Sequence, residues 1–529
     1  MSTRERLYVF DTTLRDGAQT QGVDFSVEDK RQIALAVDSL GIDYIEGGWP
    51  GANPTDTAFF AERPPLTRAR FVAFGMTKKA GRSAENDPGL AMVLDADADA
   101  ACLVGKSWDY QVDVALGIPR AENVDGIAKS IAAVVAKKRE AMLDAEHFFD
   151  GYKANPEYAL ECIRAAYDAG ARWIVLCDTN GGTMPEDAYR IVSEVKAKLP
   201  GANLGIHAHN DTEQAVAVSL AAIRGGVRQL QGTLNGLGER TGNANLCSLL
   251  PNLMLKEPFA SQFEIGISRE NLTKLTSVSR LLDSLLNRAP NRYAPYVGPS
   301  AFTHKGGLHV SAILKDPRTY EHVPPESVGN VRHMPVSSQS GRANIVSAAG
   351  EGGVSGDGAS ALLEQVKLRE FEGYSYEDAA ASFELLRLRQ EKKLPEYFSV
   401  KRYSVTVESV PNDDGHFSSL SQAFVDIAVG GEKIRNTGSG NGPVNALDEA
   451  LRKDLGKYST FLADLRLVDY KVRILTGGTD AVTRVLVESA DGKGNRWSTV
   501  GVSPNIVDAS FEALADSIRY KLFRDGAKP

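Results

Sequence analysis

The sequence predicts an α/β protein: a (β/α)8 barrel, then a mainly helical linker region, then a C-terminal α+β domain with an internal duplication. Three observations carry this reading. Short apolar runs alternate with amphipathic stretches from the start to about residue 257. The segment after the first strand, Asp11-Thr12-Thr13-Leu14-Arg15-Asp16-Gly17, is not the glycine-rich loop of a doubly wound sheet, the alternative fold, which also usually has fewer strands. From about residue 396 the apolar period changes to two, the mark of strands with one buried face. The expected boundaries are 1–265, 266–395 and 396–529, and 529 residues are in any case too many for one ordinary domain.

Taken in order, barrel strands are expected near residues 7–11, 42–46, 70–74, 100–103, 145–149, 173–177, 204–208 and 229–233. Helical periodicity falls between them, for example at 27–40, 124–143, 157–169, 186–199 and 213–224. Residues 268–287 and 358–393 read as helices, and the glycine-rich run 348–358 as a flexible joint. In the last domain, strands near 403–408, 423–429, 469–475 and 483–488 are punctuated by helices at 443–457 and 506–523. A Gly/Ser turn, 438–443 or 501–505, precedes each helix, so the order strands–helix repeats.

Composition narrows the function. Hydrophobic residues are 43% and charged residues 24%, with 60 Lys+Arg against 68 Asp+Glu for a net charge of −8. An acidic balance argues against a nucleic-acid partner. The apolar runs fall well short of the roughly 20 residues that cross a bilayer, and no apolar signal core opens the chain, so a cytoplasmic protein with no membrane partner is expected. Four cysteines without CxxC spacing are too few for a disulfide framework or a zinc module.

Three motifs bear chemistry. In His207-Ala208-His209-Asn210-Asp211 the two imidazoles stand two apart on a strand and face one side, at the C-terminal end where barrel enzymes keep their active sites. Such a pair can ligate a metal or simply be a polar strand end. Arg15 and Asp16 follow the first strand, where a carboxylate can approach the seventh; a surface ion pair in a turn is the other reading. Asn235-Gly236-Leu237-Gly238-Glu239-Arg240-Thr241-Gly242-Asn243 follows the eighth strand and brings a carboxylate and an amide oxygen. Complementary ligands on three neighbouring loops are hard to explain as surface decoration.

Together with Cys177-Asp178-Thr179-Asn180-Gly181, these motifs resemble the acyl-CoA-condensing barrel synthases, the 2-isopropylmalate, homocitrate and citramalate synthases. The resemblance runs through nearly the whole chain, because that family also carries a lid-like linker and a duplicated regulatory domain. Ile45-Glu46-Gly47-Gly48-Trp49-Pro50-Gly51 and Arg15-Asp16-Gly17-Ala18-Gln19 depart from the isopropylmalate pattern toward a bacterial citramalate branch. The resemblance implies Asp16, His207, His209 and Asn243 as ligands of one divalent metal, Mn2+, Mg2+, Zn2+ or Co2+. It implies Arg15 for the developing alkoxide, Thr179 for the 2-oxo carboxylate, and Glu46, Asp150 and Glu239 as further polar groups at the mouth. Asp150 stands where relatives usually carry Glu.

Ala301-Phe302-Thr303-His304-Lys305-Gly306-Gly307-Leu308-His309 resembles the segment that closes over the site, with His309 matching the family's catalytic His and Tyr320 a Tyr that accompanies it. Without the family, both histidines would read as loop hydrogen-bonders. The implied reaction condenses acetyl-CoA with a 2-oxo acid and hydrolyses the thioester. Pyruvate is the expected 2-oxo acid because Trp49, Phe148, Phe149 and Tyr152 put aromatic bulk near the mouth. The other readings are 2-oxobutyrate or 2-oxoisovalerate as substrate, a homocitrate synthase, a hydroxyacyl-CoA lyase of the same barrel type, or a non-catalytic amino-acid sensor. A homodimer, and isoleucine as effector at the C-terminal domain, complete the expectation.

Overall fold

The computed structural model describes residues 4–348, 356–411, 416–478 and 481–529. Eight parallel strands close in chain order into a barrel: β1 (Tyr8–Asp11), β2 (Tyr44–Gly48), β3 (Arg70–Met76), β4 (Ala100–Lys106), β5 (Glu140–Glu146), β6 (Trp173–Asp178), β7 (Leu204–Ala208) and β8 (Gln229–Gly232). β8 pairs with β1 and completes the ring. The helix Val27–Leu40 has the predicted bounds; Ser26 and Asp29 form a reciprocal capping box at its start. Phe10, Tyr44, Met142 and Trp173 fill the inside of the ring. Tyr44 and Trp173 open their strands, and Trp173 Nε1 donates to Tyr44 Oη at 3.2 Å. With the N-terminal end plugged, the polar inward positions lie at the C-terminal ends.

The fifth strand is displaced from its expected place at 145–149. The preceding helix, Arg120–Ala136, stops short of 143; Lys138 turns at φ 60°, β5 is Glu140–Glu146, and Phe148–Ala154 is helical. Glu140–Glu146 is rich in good helix formers, so local propensity favours the wrong state. Pairing with β4 and β6 on both sides overrules it.

The helix expected at 268–287 is two, Arg269–Leu272 and Leu275–Leu285. That at 358–393 is also two, Gly356–Phe371 and Ala380–Gln390. The first of these ends where Tyr374 N and Gly373 N donate to Arg369 O and Glu370 O. Residues 349–355 of the expected joint lie outside the described residues.

Two antiparallel three-stranded sheets form the C-terminal part. β9 (Ser399–Pro411), β10 (Phe417–Val429) and β11 (Glu432–Gly440) lead to the helix Pro443–Arg452. β12 (Arg466–Ile474), β13 (Thr483–Ala490) and β14 (Arg496–Ser503) lead to the helix Ile506–Arg524. Val425, Ile427 and Leu447 of the first repeat share one core with Val485, Val487 and Leu514 of the second.

The third strand of each repeat escaped the sequence pattern because glycine interrupts it. A Cβ on Gly438 would lie 2.4 Å from Ala446 O, and one on Gly501 2.0 Å from Ala509 O, so each helix crosses its sheet where only glycine fits. Gly438–Gly440 and Gly501–Ser503 are therefore strand ends rather than free turns. The second helix start is already capped, Asn505 Oδ1 accepting from Val507 N at 2.9 Å.

Met1–Phe302 with Val323–Val331 form one compact unit, and Thr303–His322 with Arg332–Pro529 a second. Among the described residues no helix is long and apolar enough to cross a membrane.

Candidate active site

Alternation along β7 aims Gly205, His207 and then His209 into the barrel. His207 Nε2 lies 3.3 Å from His209 Nε2 and 3.2 Å from Asp16 Oδ2, and His209 Nε2 lies 3.7 Å from the same oxygen. All three side chains are buried. Asn243 stands beside His209 in an isolated antiparallel bridge, which turns both side chains to one side. Both amide atoms of Asn243 are buried without a hydrogen-bond partner, a costly arrangement that a cation accepting its oxygen would relieve. Gly238, at φ 153°, makes room for it: a Cβ there would sit 2.7 Å from Asn243 Oδ1. Two imidazoles, a carboxylate and an unsatisfied amide oxygen fit a divalent metal.

The local electrostatics agree with that use. Burial raises the Asp16 carboxyl, but Arg15 and both imidazoles outweigh it and hold it well below the usual range. Burial and the neighbouring His207 push His209 down to about 4, leaving a neutral ring with a lone pair to offer. Burial also lowers His207, yet its contact with Asp16 wins and the net shift is upward. The carboxylate that favours a proton there favours a metal cation equally.

Arg15 is clamped beside this cluster. Its Nε donates to Glu46 Oε2 at 2.7 Å, one terminal nitrogen lies 3.3 Å from Asp16 Oδ2, and its guanidinium sits 4.0 Å over the Phe74 ring. Thr12 Oγ1 donates to the same Glu46 oxygen at 2.5 Å. Behind it, buried Lys30 donates to Leu14 O at 2.9 Å and Gly47 O at 3.0 Å and pairs with Asp56, tying the loops after β1 and β2 together.

These groups open on a cavity of about 760 Å³ lined by Arg15, Asp16, Thr179, His207, His209 and Glu239 among others. Thr179 Oγ1 accepts the His147 N–H at 2.8 Å, which leaves its own proton free to donate. The loop after β8 is anchored by Arg240, which forks onto Asp211 at 2.7 Å and donates to Thr179 O. Asp150 is not on the cavity wall; it accepts from Asn180 Nδ2 at 2.8 Å.

Phe148, Phe149 and Tyr152 also fail to line the cavity. They are buried in the outer core, because the helix Phe148–Ala154 stands where a strand end was expected. The apolar flank is Trp49, Phe74, Met76 and Val104 instead.

In the second unit the His309 and Tyr320 rings stack with centroids 3.9 Å apart and planes at 22°. His304 Nε2 lies 3.3 Å from Glu321 Oε1, and Arg332 grips that carboxylate with two bonds of 2.6 Å.

Sequence reasoning missed Asp144, Glu146 and Gln231, all polar, in the barrel interior. Asp144 and Glu146 line the cavity, and Gln231 links Asp144 to His207. Their signal is period two: Met142, Asp144 and Glu146 alternate inward along β5, and Gln229 and Gln231 along β8. Misplacing β5 hid the first pair.

Residues 6–282 match the HMGL-like family, 296–367 the homocitrate synthase post-HMGL domain-like family, and 378–522 the LeuA allosteric (dimerisation) domain. The chain is 47% identical over 529 residues to an (R)-citramalate synthase of Aquifex aeolicus, covering 98% of each. It is 48% identical over 524 residues to one of Geobacter sulfurreducens, covering 98% of this chain and 97% of that one. With one of Synechocystis the identity is 45% over 538 residues, at 99% and 97% coverage. By the span of these matches the chain belongs to the HMGL-like family.

Proposed function

We propose that the chain is an (R)-citramalate synthase: acetyl-CoA, pyruvate and water give citramalate and free CoA, a step toward isoleucine. The observation that carries this is the buried Asp16–His207–His209 cluster, with Asn243 beside it and Arg15 alongside, at the open end of the barrel. A divalent ion held there would supply Lewis-acid polarisation of the ketone. The chain's own groups do the rest. Arg15 donates to the oxygen that gains charge as the new C–C bond forms. The Thr179 hydroxyl donates to the pyruvate carboxylate, and Glu46, held by Thr12 and Arg15, fixes the guanidinium's direction. Asp150, off the cavity wall, acts at most through Asn180, whose Nδ2 donates to it at 2.8 Å.

Incubating the protein with acetyl-CoA, a divalent metal and a panel of 2-oxo acids, and reading free thiol, tests this. The apolar flank of Trp49, Phe74, Met76 and Val104 accommodates a methyl ketone, whereas a branched substituent forces one of them aside at a cost of about 1–3 kcal/mol. Pyruvate is expected to exceed 2-oxoisovalerate in kcat/KM by roughly 10-fold or more. The opposite order would make the chain an isopropylmalate synthase, and thiol release without any 2-oxo acid a thioesterase.

Deprotonating the acetyl methyl needs a positioned base. For that role we propose His309, the match to the family's catalytic histidine, whose ring stacks on Tyr320, with Glu239 as a second candidate. His309→Ala is expected to depress kcat while leaving the KM for pyruvate within about threefold, since a base acts on the transition state. A raised KM at unchanged kcat would make His309 a binding residue.

The match of residues 378–522 to the LeuA allosteric (dimerisation) domain supports a homodimer, and we propose isoleucine as its inhibitor. Isoleucine must bind one state of the enzyme better than another to inhibit at all. In the full-length protein, millimolar isoleucine should inhibit CoA release, and leucine and valine should not. No effect, or a stronger effect of leucine, overturns this assignment. A truncation near residue 393 is a poor test, because Ala381 shares a core with Val425 and Val485.

A further inference from the structure

His207 is pre-set for its task by two residues behind it, one of which, Asp144, also lies within 4.8 Å of Glu46. Gln231, on β8, and Asp144, on β5, are both buried. Gln231 Nε2 donates to Asp144 Oδ1 at 3.0 Å, and Gln231 Oε1 lies 2.7 Å from His207 Nδ1. With its NH2 donated to Asp144, the Gln231 amide presents its oxygen to His207. An amide oxygen only accepts, so His207 must carry its hydrogen on Nδ1. The lone pair is then left on Nε2, the atom 3.2 Å from Asp16 Oδ2 and 3.3 Å from His209 Nε2. The carboxylate thus dictates the amide, the amide dictates the tautomer, and the tautomer aims a lone pair at the ligand cluster. His209 has no such device, its Nδ1 being buried without a partner.

We infer that Asp144 and Gln231 are positioning residues that select the metal-binding tautomer of His207. This rests on the reading of Asp16, His207, His209 and Asn243 as a metal site. Partners of this kind typically affect metal affinity by about 10–100-fold. Asp144→Asn is the sharpest probe because it changes shape least. The new amide can donate to Gln231, which frees Gln231 to turn its own NH2 toward Nδ1 and hold His207 with hydrogen on Nε2, the wrong nitrogen. Gln231→Leu removes the acceptor, whereas Gln231→Glu keeps an oxygen against Nδ1.

The test is a Co2+ titration of metal-free full-length protein without substrates, read by visible absorbance and by the Co2+-dependent rise in Tm. Asp144→Asn and Gln231→Leu should weaken Co2+ binding by about 10–100-fold, and Gln231→Glu should bind more tightly than Gln231→Leu. Circular dichroism of each metal-free variant should match the parent. Parent-like Co2+ affinity in Gln231→Leu and Asp144→Asn overturns the inference. So does equal weakening of Gln231→Leu and Gln231→Glu with matching losses of Tm before metal is added, which is a purely structural effect. A parent protein that binds no Co2+ overturns instead the metal reading beneath it.

Discussion

Replacing His207 or Asp16 by alanine should abolish acetyl-CoA- and pyruvate-dependent CoA release, a loss of at least roughly 10³-fold. Both side chains are buried and within 3.2 Å of each other, so neither can be replaced by a rearranged neighbour. Lewis-acid stabilisation of a developing oxyanion is worth several kcal/mol, and each 1.36 kcal/mol is about tenfold in rate. His207→Ala opens a void lined by polar atoms, and Asp16→Ala removes the group that Arg15 and both imidazoles face. The fold should survive, because the barrel core beneath the site consists of Phe10, Tyr44, Met142 and Trp173 and is untouched. The measurement is thiol release together with bound metal per chain. Near-parental turnover in either variant with metal content unchanged would refute the ligand assignment.

Arg15→Met should cost activity and stability together. The guanidinium balances Glu46 and Asp16 at once, and Glu46 has no exposed surface. Breaking a buried pair leaves an uncompensated charge, which typically costs about 3–5 kcal/mol, partly relieved here if Glu46 takes up a proton. Burial already raises the Glu46 carboxyl, with Arg15 opposing it, so the variant should bind that proton more readily. Losing the donor to the alkoxide should reduce kcat by roughly 10²–10³-fold. Arg15→Lys keeps the charge but not the fork, so it should fall between, nearer to Met in kcat and nearer to the parent in Tm. Turnover within threefold of the parent in Arg15→Met, with Tm unchanged, would show that the clamp is incidental.

The barrel and the meeting of Asp16, His207 and His209 at its mouth were legible along the chain for a simple reason. A strand's side chains alternate, so His207-Ala208-His209 announces two imidazoles on one face whatever surrounds it. The motif after β1 likewise announces Arg15 and Asp16 at the mouth of a barrel. The helix Val27–Leu40 was readable because its Ser26–Asp29 box is a local device. The duplication showed itself through paired apolar alternation, although its glycine-bearing third strands did not.

What tertiary structure alone decided is of a different kind. Glu140–Glu146 is a strand because β4 and β6 pair with it, and no local preference could say so. That single shift moved Asp144 and Glu146 into the barrel and carried Phe148, Phe149 and Tyr152 out to the helical layer. Gly438 and Gly501 are glycines because a helix backbone crosses there, a requirement set by residues eight positions away, at Ala446 and Ala509. The chain Asp144–Gln231–His207 joins three strands across 87 and 24 residues of sequence. Residue identities and their periodicity reveal which groups face inward, since that depends on the backbone alone. Which inward group hydrogen-bonds to which depends on barrel closure and strand register, and those are fixed only when all eight strands are in place.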